Sequence, residues 1–228
     1  MRTSSLLSVA FFCLLAVGCS GSRGVDLSVF TGPISVDTFS CMINDGVSFV
    51  IIEIFNGGYG FNQDAIQNAK NAWAAGMQGV GFYAFMCPNC GGNYPASQPI
   101  QTIADNLGGY SDWVRFWLDV EPCDGCWNGD LDSNLDYVSD LATAAVNTFG
   151  SDKVGLYTSQ YSWSAVVGSG QRANINALPL WYAHWDGVMD MSDSWAYSFG
   201  GWSSGYLKQY TGDSTVCGVS VDNNYLPW

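Results

Sequence analysis

Apolar runs of strand length alternate with amphipathic segments through most of this 228-residue chain, and that order leaves few architectures open. Gly24 to Phe30, Phe49 to Phe55, Val80 to Met86, Phe116 to Pro122, Lys153 to Thr158 and Leu178 to His184 read as strands. The spacing of apolar residues predicts helices over 35–44, 63–75, 97–107 and 131–149, with one or two turns over 161–167. After His184 the helices stop. Two further strands are expected at 206–210 and 218–222, separated from the rest by a stretch rich in Ser, Gly and Trp. Strands that alternate with helices form parallel sheets covered by helices. The expectation is an α/β chain in one domain: a single TIM-like β/α barrel whose helices are missing in the C-terminal part.

Phe116-Trp117-Leu118-Asp119-Val120-Glu121-Pro122 carries the strongest chemical signal. Alternation puts Phe116, Leu118 and Val120 on one face and Trp117, Asp119 and Glu121 on the other. Two acids side by side repel, so one stays protonated at a pH where the other is ionised. Glycoside cleavage needs that combination. A calcium-binding pair or a solvated strand end is the plainer reading of Asp-x-Glu. Asp26, in an apolar first strand, is a costly place for a carboxylate without a purpose. Glu53, in the apolar second strand, reads as a further site acid or as an acid at a strand end. In a closed barrel the first and last strands are neighbours, so Asp26 and Asp222 would face Asp119 and Glu121 over one cleft at the C-terminal ends of the strands.

Composition excludes several classes. A net charge of −13 with only 7 Lys+Arg argues against a nucleic-acid partner. The single histidine, His184, falls on the face opposite Trp181 and Trp185, which disfavours Ser-His-Asp or Cys-His chemistry and a His-built zinc site. Neither cofactor nor metal is expected. Aromatic residues make up 15% of the chain. They either fill a core or present flat faces to sugar rings.

Residues 1–20 read as a signal peptide: Arg2, an apolar run from Leu6 to Val17, then small residues. Ala16-Val17-Gly18-Cys19 has a faint likeness to a lipoprotein cleavage site, with Ala where Leu is usual. Six cysteines follow: Cys41, Cys87, Cys90, Cys123, Cys126 and Cys217. Zinc or redox motifs would explain the two C-x-x-C units. Their place after a signal peptide, in loops that follow strands, favours structural disulfides. Barrel closure predicts a Cys41–Cys217 bridge. The four loop cysteines could pair within each C-x-x-C or across the two loops, with a slight preference for cross-loop bonds.

Together these segments resemble the lysozymes of glycoside hydrolase family 25, in particular the cysteine-bearing type of nematodes and amoebae. The resemblance rests on Val25-Asp26-Leu27-Ser28, Trp117 to Glu121, Gly155 to Ser159, Leu180 to Ala183, the Ser198 to Trp202 loop, and Lys208-Gln209-Tyr210 through Val221 to Asn224. It covers nearly all of residues 21–228. It implies a flattened, irregular barrel and hydrolysis of the β-1,4 bond between N-acetylmuramic acid and N-acetylglucosamine. By that likeness Glu121 is the general acid/base and Asp119 assists, as nucleophile or through the substrate's acetamido group. Asp26 and Asp222 shape the cleft, and Tyr83, Trp181, Gln209 and Tyr210 contact substrate. The partner is bacterial peptidoglycan, and the chain is expected to be a secreted or lysosomal/phagosomal monomer with no membrane association after signal removal. The family often has a basic residue where Glu53 stands, which leaves the charge balance of the cleft open. A family 18 chitinase would need acids at the positions of Val114 and Trp117. A non-catalytic binder of peptidoglycan or chitooligosaccharides on the same fold is the other alternative.

Overall fold

A computed structural model describes residues 21–228; the expected signal peptide lies outside the described residues. Its strands are β1 (Ser22–Leu27), β2 (Phe49–Asn56), β3 (Gly60–Phe61), β4 (Gly79–Phe85), β5 (Phe116–Asp119), β6 (Val154–Thr158), β7 (Leu180–Ala183), β8 (Leu207–Val216) and β9 (Val219–Leu226). The helices are α1 (Val36–Asn44), α2 (Ala65–Ala75), α3 (Ser97–Leu107), α4 (Leu131–Phe149), α5 (Gln160–Val167) and α6 (Ala173–Asn176). The sheet runs β1-β9-β8-β7-β6-β5-β4-β2-β3, and a β1–β2 pairing closes it into an eight-stranded barrel with β3 as an appendage.

The last strand departs from the parallel barrel expected. β9 pairs antiparallel with both β8 and β1. A parallel return would need a crossover segment, and only Cys217 and Gly218 separate β8 from β9. Both have positive φ, 53° and 79°, as a two-residue hairpin turn requires. Cys217 at that turn is bonded to Cys41 in α1, so the bridge ties the closing hairpin to the helix that follows β1. The bridge matches the expectation.

The loop cysteines correct the preference for cross-loop bonds: Cys87 pairs with Cys90 and Cys123 with Cys126. In each loop a backbone hydrogen bond three residues apart, Cys90 N to Cys87 O and Cys126 N to Cys123 O, folds the pair onto itself. The loops are joined instead by Asn89 N donating to Cys126 O, and Asn93 Nδ2 donates to three carbonyls, those of Gly57, Cys87 and Cys90.

Two apolar layers follow from strand alternation. Phe116, Leu118 and Val120 belong to the outer core between sheet and helices. Ile51, Tyr83, Trp117, Tyr157, Trp181 and Leu207 fill the barrel interior. Trp181 is the centre of that interior, with ring centroids 4.3 Å from Tyr157, 5.6 Å from Trp117 and 6.1 Å from Tyr83. Trp117 has room because Gly155 is its cross-strand partner; a Cβ on Gly155 would lie 2.3 Å from the indole ring. Gly155→Ala therefore overpacks the barrel, and denaturant unfolding should register a loss of about 1–3 kcal/mol. A variant as stable as the parent would contradict this packing.

Candidate active site

The β5 ladder ends at Asp119, two residues earlier than the sequence pattern implies. Val120 N still donates to Tyr157 O at 2.9 Å, which carries the alternation on to Glu121. Asp119 is thus 4% exposed, and Glu121 stands higher, half-exposed. Across the barrel, the β1–β9 register puts Asp26 directly opposite Asp222. Asp26, Asp119, Glu121 and Asp222 line one small cavity of about 70 Å³, together with Tyr83, Tyr157, Trp181 and Gln209. No Lys or Arg lines it.

Gln209 organises this cavity. Its Oε1 accepts from the Tyr157 hydroxyl and from Trp185 Nε1, both at 2.8 Å. An indole N–H can only donate, so the amide orientation is fixed and Nε2 must face acceptors. It donates to Asp26 Oδ2 at 2.9 Å and lies 3.3 Å from Asp222 Oδ2. Asn224 repeats the logic: Oδ1 accepts from Trp181 Nε1 at 2.8 Å, and Nδ2 donates to Asp26 Oδ2 at 2.7 Å. Asp222 Oδ1 accepts from Asp213 N at 2.8 Å. Asp119 has no comparable support; its Oδ1 is buried without a hydrogen-bond partner among the described residues.

Burial pushes all four acids upward. Asp26 is raised to about 8, by burial first and then by the charge of Asp222, against the two amide donors. Asp119 is held well above the usual carboxylate range by burial and by Glu121. Glu121 is raised by burial and by Asp222, opposed by the Ser162 hydroxyl 3.5 Å away. Burial also raises Asp222. Ser162 is placed by local chemistry: Ser159 caps α5 by accepting from Ser162 N at 2.9 Å.

Glu121 and Tyr157 also line a cleft of about 390 Å³ with Tyr161, Ser162, Ala183 and Trp185. Tyr161 and Trp185 are 76% and 59% exposed. Trp181, which was expected to contact sugar, is 1% exposed and forms the floor with Tyr83. Gln209 is buried and fully engaged as a positioning group, and Tyr210, on the other side of the strand, lines neither cavity. Tyr157 and Asn224 line or support the site without having been singled out, although alternation along β6 could have found Tyr157, and Trp185 had been noted only as sharing a face with Trp181. Glu53 does not line the cavity. It accepts from Val29 N, Asn56 Nδ2 and the Tyr83 hydroxyl, so it fastens the β1 and β2 loops and holds Tyr83.

A second polar cluster supports the rim. Lys208, fully buried, lies 2.8 Å from Asp186 Oδ2 and 3.0 Å from Asp193 Oδ2. His184 Nδ1 also meets Asp193, and the Tyr182 hydroxyl donates to the other Asp193 oxygen at 2.7 Å. His184, Asp186 and Asp193 converge as metal ligands could, but the Lys208 ammonium occupies the cation position between the two carboxylates. The cluster anchors the loop that carries Trp185.

The sequence profile of the family described as Lysozyme-like protein 1 matches residues 20–210. Among similar proteins, "Probable GH family 25 lysozyme 3" of Dictyostelium discoideum is 38% identical over 97% of this chain, which spans 44% of that protein's length. "Counting factor 45-1" of the same organism is also 38% identical, over 98% of this chain and 74% of its own length. The crystal structure of a bacterial lysozyme from Streptomyces coelicolor superposes with a TM-score of 0.74 at 25% identity, covering 92% of this chain and 94% of that one.

The shift on Asp26 sets a pH dependence of stability. The folded state holds its proton from about 3.8, the ordinary value, up to about 8, so stability is greatest at low pH and falls as pH rises through that window. Asp26→Asn keeps an oxygen for both amide donors and removes the titration. The parent's thermal midpoint should fall between about pH 4 and 8, and the variant's should fall less. Equal slopes would contradict the assignment.

Proposed function

The chain belongs to the lysozyme-like glycoside hydrolases of family 25, and from that premise we propose that it hydrolyses the β-1,4 bond between N-acetylmuramic acid and N-acetylglucosamine in bacterial peptidoglycan. The observation that carries this reading is the convergence of four carboxyl groups on one cation-free cavity, with Glu121 alone opening onto the adjoining cleft. A proton donor at the edge of a groove flanked by exposed Tyr161 and Trp185 suits a leaving sugar oxygen on a chain lying in that groove.

Glu121 acts as general acid. Burial raises it, so it retains a proton at a pH where an ordinary glutamate has lost it. Asp119 supplies the second carboxyl. Its partnerless Oδ1 is suited to accept an acetamido N–H, which turns the substrate's own carbonyl oxygen toward the anomeric carbon. That hydrogen bond favours ionised Asp119, and in a coupled pair it biases the shared proton toward Glu121. Asp26 and Asp222 add negative potential that stabilises the oxocarbenium-like charge once either ionises. Glu121 then accepts a proton from the attacking water.

The three disulfides suit an oxidising compartment, and among the described residues no helix is long and apolar enough to cross a membrane. The disulfides support action outside the cell or in a lysosome. The rival reading is a wall-binding protein without hydrolytic activity on the same barrel.

Clearing of purified bacterial walls separates the two readings. Glu121→Gln should lose about 10²–10⁴ in rate while melting like the parent and still sedimenting with walls. Lysis at the parent's rate would remove Glu121 from the mechanism; a parent that binds walls without clearing them would favour the rival. The rate should be highest at mildly acidic pH and decline as pH rises past the raised pKa of Glu121, because the acid is then ionised. A rate that climbs steadily into alkaline pH would contradict this role.

A further inference from the structure

The opposite end of the barrel holds a separate pocket, of about 300 Å³, that the hydrolytic chemistry does not use. Its origin is legible in β4. The inward positions of that strand are Gly79, Gly81 and Tyr83, so β4 contributes no side chain to the space beneath Tyr83. Phe49, Ile51, Leu226 and Trp228 line the pocket, with Trp117 as its inner wall. Trp117 packs on Trp181, so two indole rings separate this pocket from the catalytic cavity.

Arg115 stands in this apolar lining, half-buried, immediately before β5. Its guanidinium lies 4.6 Å from the Tyr206 ring centroid and 5.6 Å from that of Trp117. Arg23, Arg172 and Lys208 all have carboxylate partners. Arg115, like Lys70 and Lys153, has none among the described residues, and of these three it is the one that lines the pocket. A guanidinium held by aromatic rings alone keeps its N–H groups available to a carboxylate, whose two oxygens match their fork. A cation without an anion, set in an apolar pocket at the small end of ligand-site volumes of about 300–1,000 Å³, describes a site by its chemistry.

We propose that this pocket binds a small amphipathic carboxylate, its head on the edge of Arg115 and its apolar body among Phe49, Ile51 and Leu226. The site lies at the N-terminal end of the parallel strands, away from where barrels carry catalysis, so it is a binding site independent of hydrolysis. The chain's negative charge acts at long range and is screened by salt, whereas a direct contact with half-buried Arg115 is screened less.

Decanoate and decanol, kept below their aggregation limits at neutral pH, test this on the full chain by calorimetry and by tryptophan fluorescence, since Trp117 and Trp228 line the pocket. Decanoate should bind saturably at one site and at least tenfold more tightly than decanol. Arg115→Gln should weaken decanoate at least tenfold, leave decanol unchanged and leave wall clearing unchanged. Equal affinity of the parent for acid and alcohol, or no saturable binding of decanoate, overturns the proposal without recourse to a variant. Undiminished decanoate binding by a folded Arg115→Gln protein overturns it as well.

Discussion

Four carboxyl groups share one buried cavity with no cation among its lining residues, and much of the surrounding structure serves to make that tolerable. Burial alone would expel such charges or neutralise them. Here the shift is toward neutralisation: burial raises the pKa of every one of the four. The cost is limited by two amides whose orientations are dictated by indole N–H groups, Gln209 by Trp185 and Asn224 by Trp181. Both amides serve Asp26 and leave Asp119 without a protein donor on its buried oxygen. The acid that the protein satisfies least is the one that the proposed reaction asks to bond the substrate.

Barrel closure is what brings Asp26 and Asp222 together. They are opposed across the β1–β9 pairing, a like-charge pair that a sheet does not choose for stability. The hairpin that makes this pairing turns through Cys217 and Gly218, and the bond to Cys41 holds it against the start of the barrel. Trp185 reaches Gln209 from a loop fastened by the buried Lys208 cluster. Covalent and ionic restraints at the periphery thus fix the geometry of side chains that repel one another.

Much of this was legible in the sequence, and the failures have physical causes. Period-two alternation correctly separated Trp117 and Asp119 from Leu118 and Val120, because each side of β5 meets a different layer. Helices α3 and α4 fell where apolar spacing put them. The direction of β9 was not legible from strand content; it follows from the two-residue turn, whose non-glycine left-handed residue, Cys217, hides the hairpin signal. Within-loop pairing of the C-x-x-C units depends on backbone turns that composition does not reveal. Gln209 was recognised as a site residue, but its hydrogen-bond partners were not legible, because the two groups that donate to it come from β6 and from the loop after β7, far away in sequence. Trp181 read as a sugar platform since alternation tells which face a ring is on, not how deep.

The central claim is that the cavity retains protons that ordinary carboxylates would have lost. Carbon-13 NMR titration of the Asp and Glu side-chain carboxyls tests it most directly. At about pH 6, well above the ordinary range near 4, Asp26 and Asp119 should still give the shift of a protonated acid, and Glu121→Gln should lower the midpoint of Asp119 by removing its neighbour's charge. If all four acids titrate together near pH 4, the cavity stores no protons and the account fails.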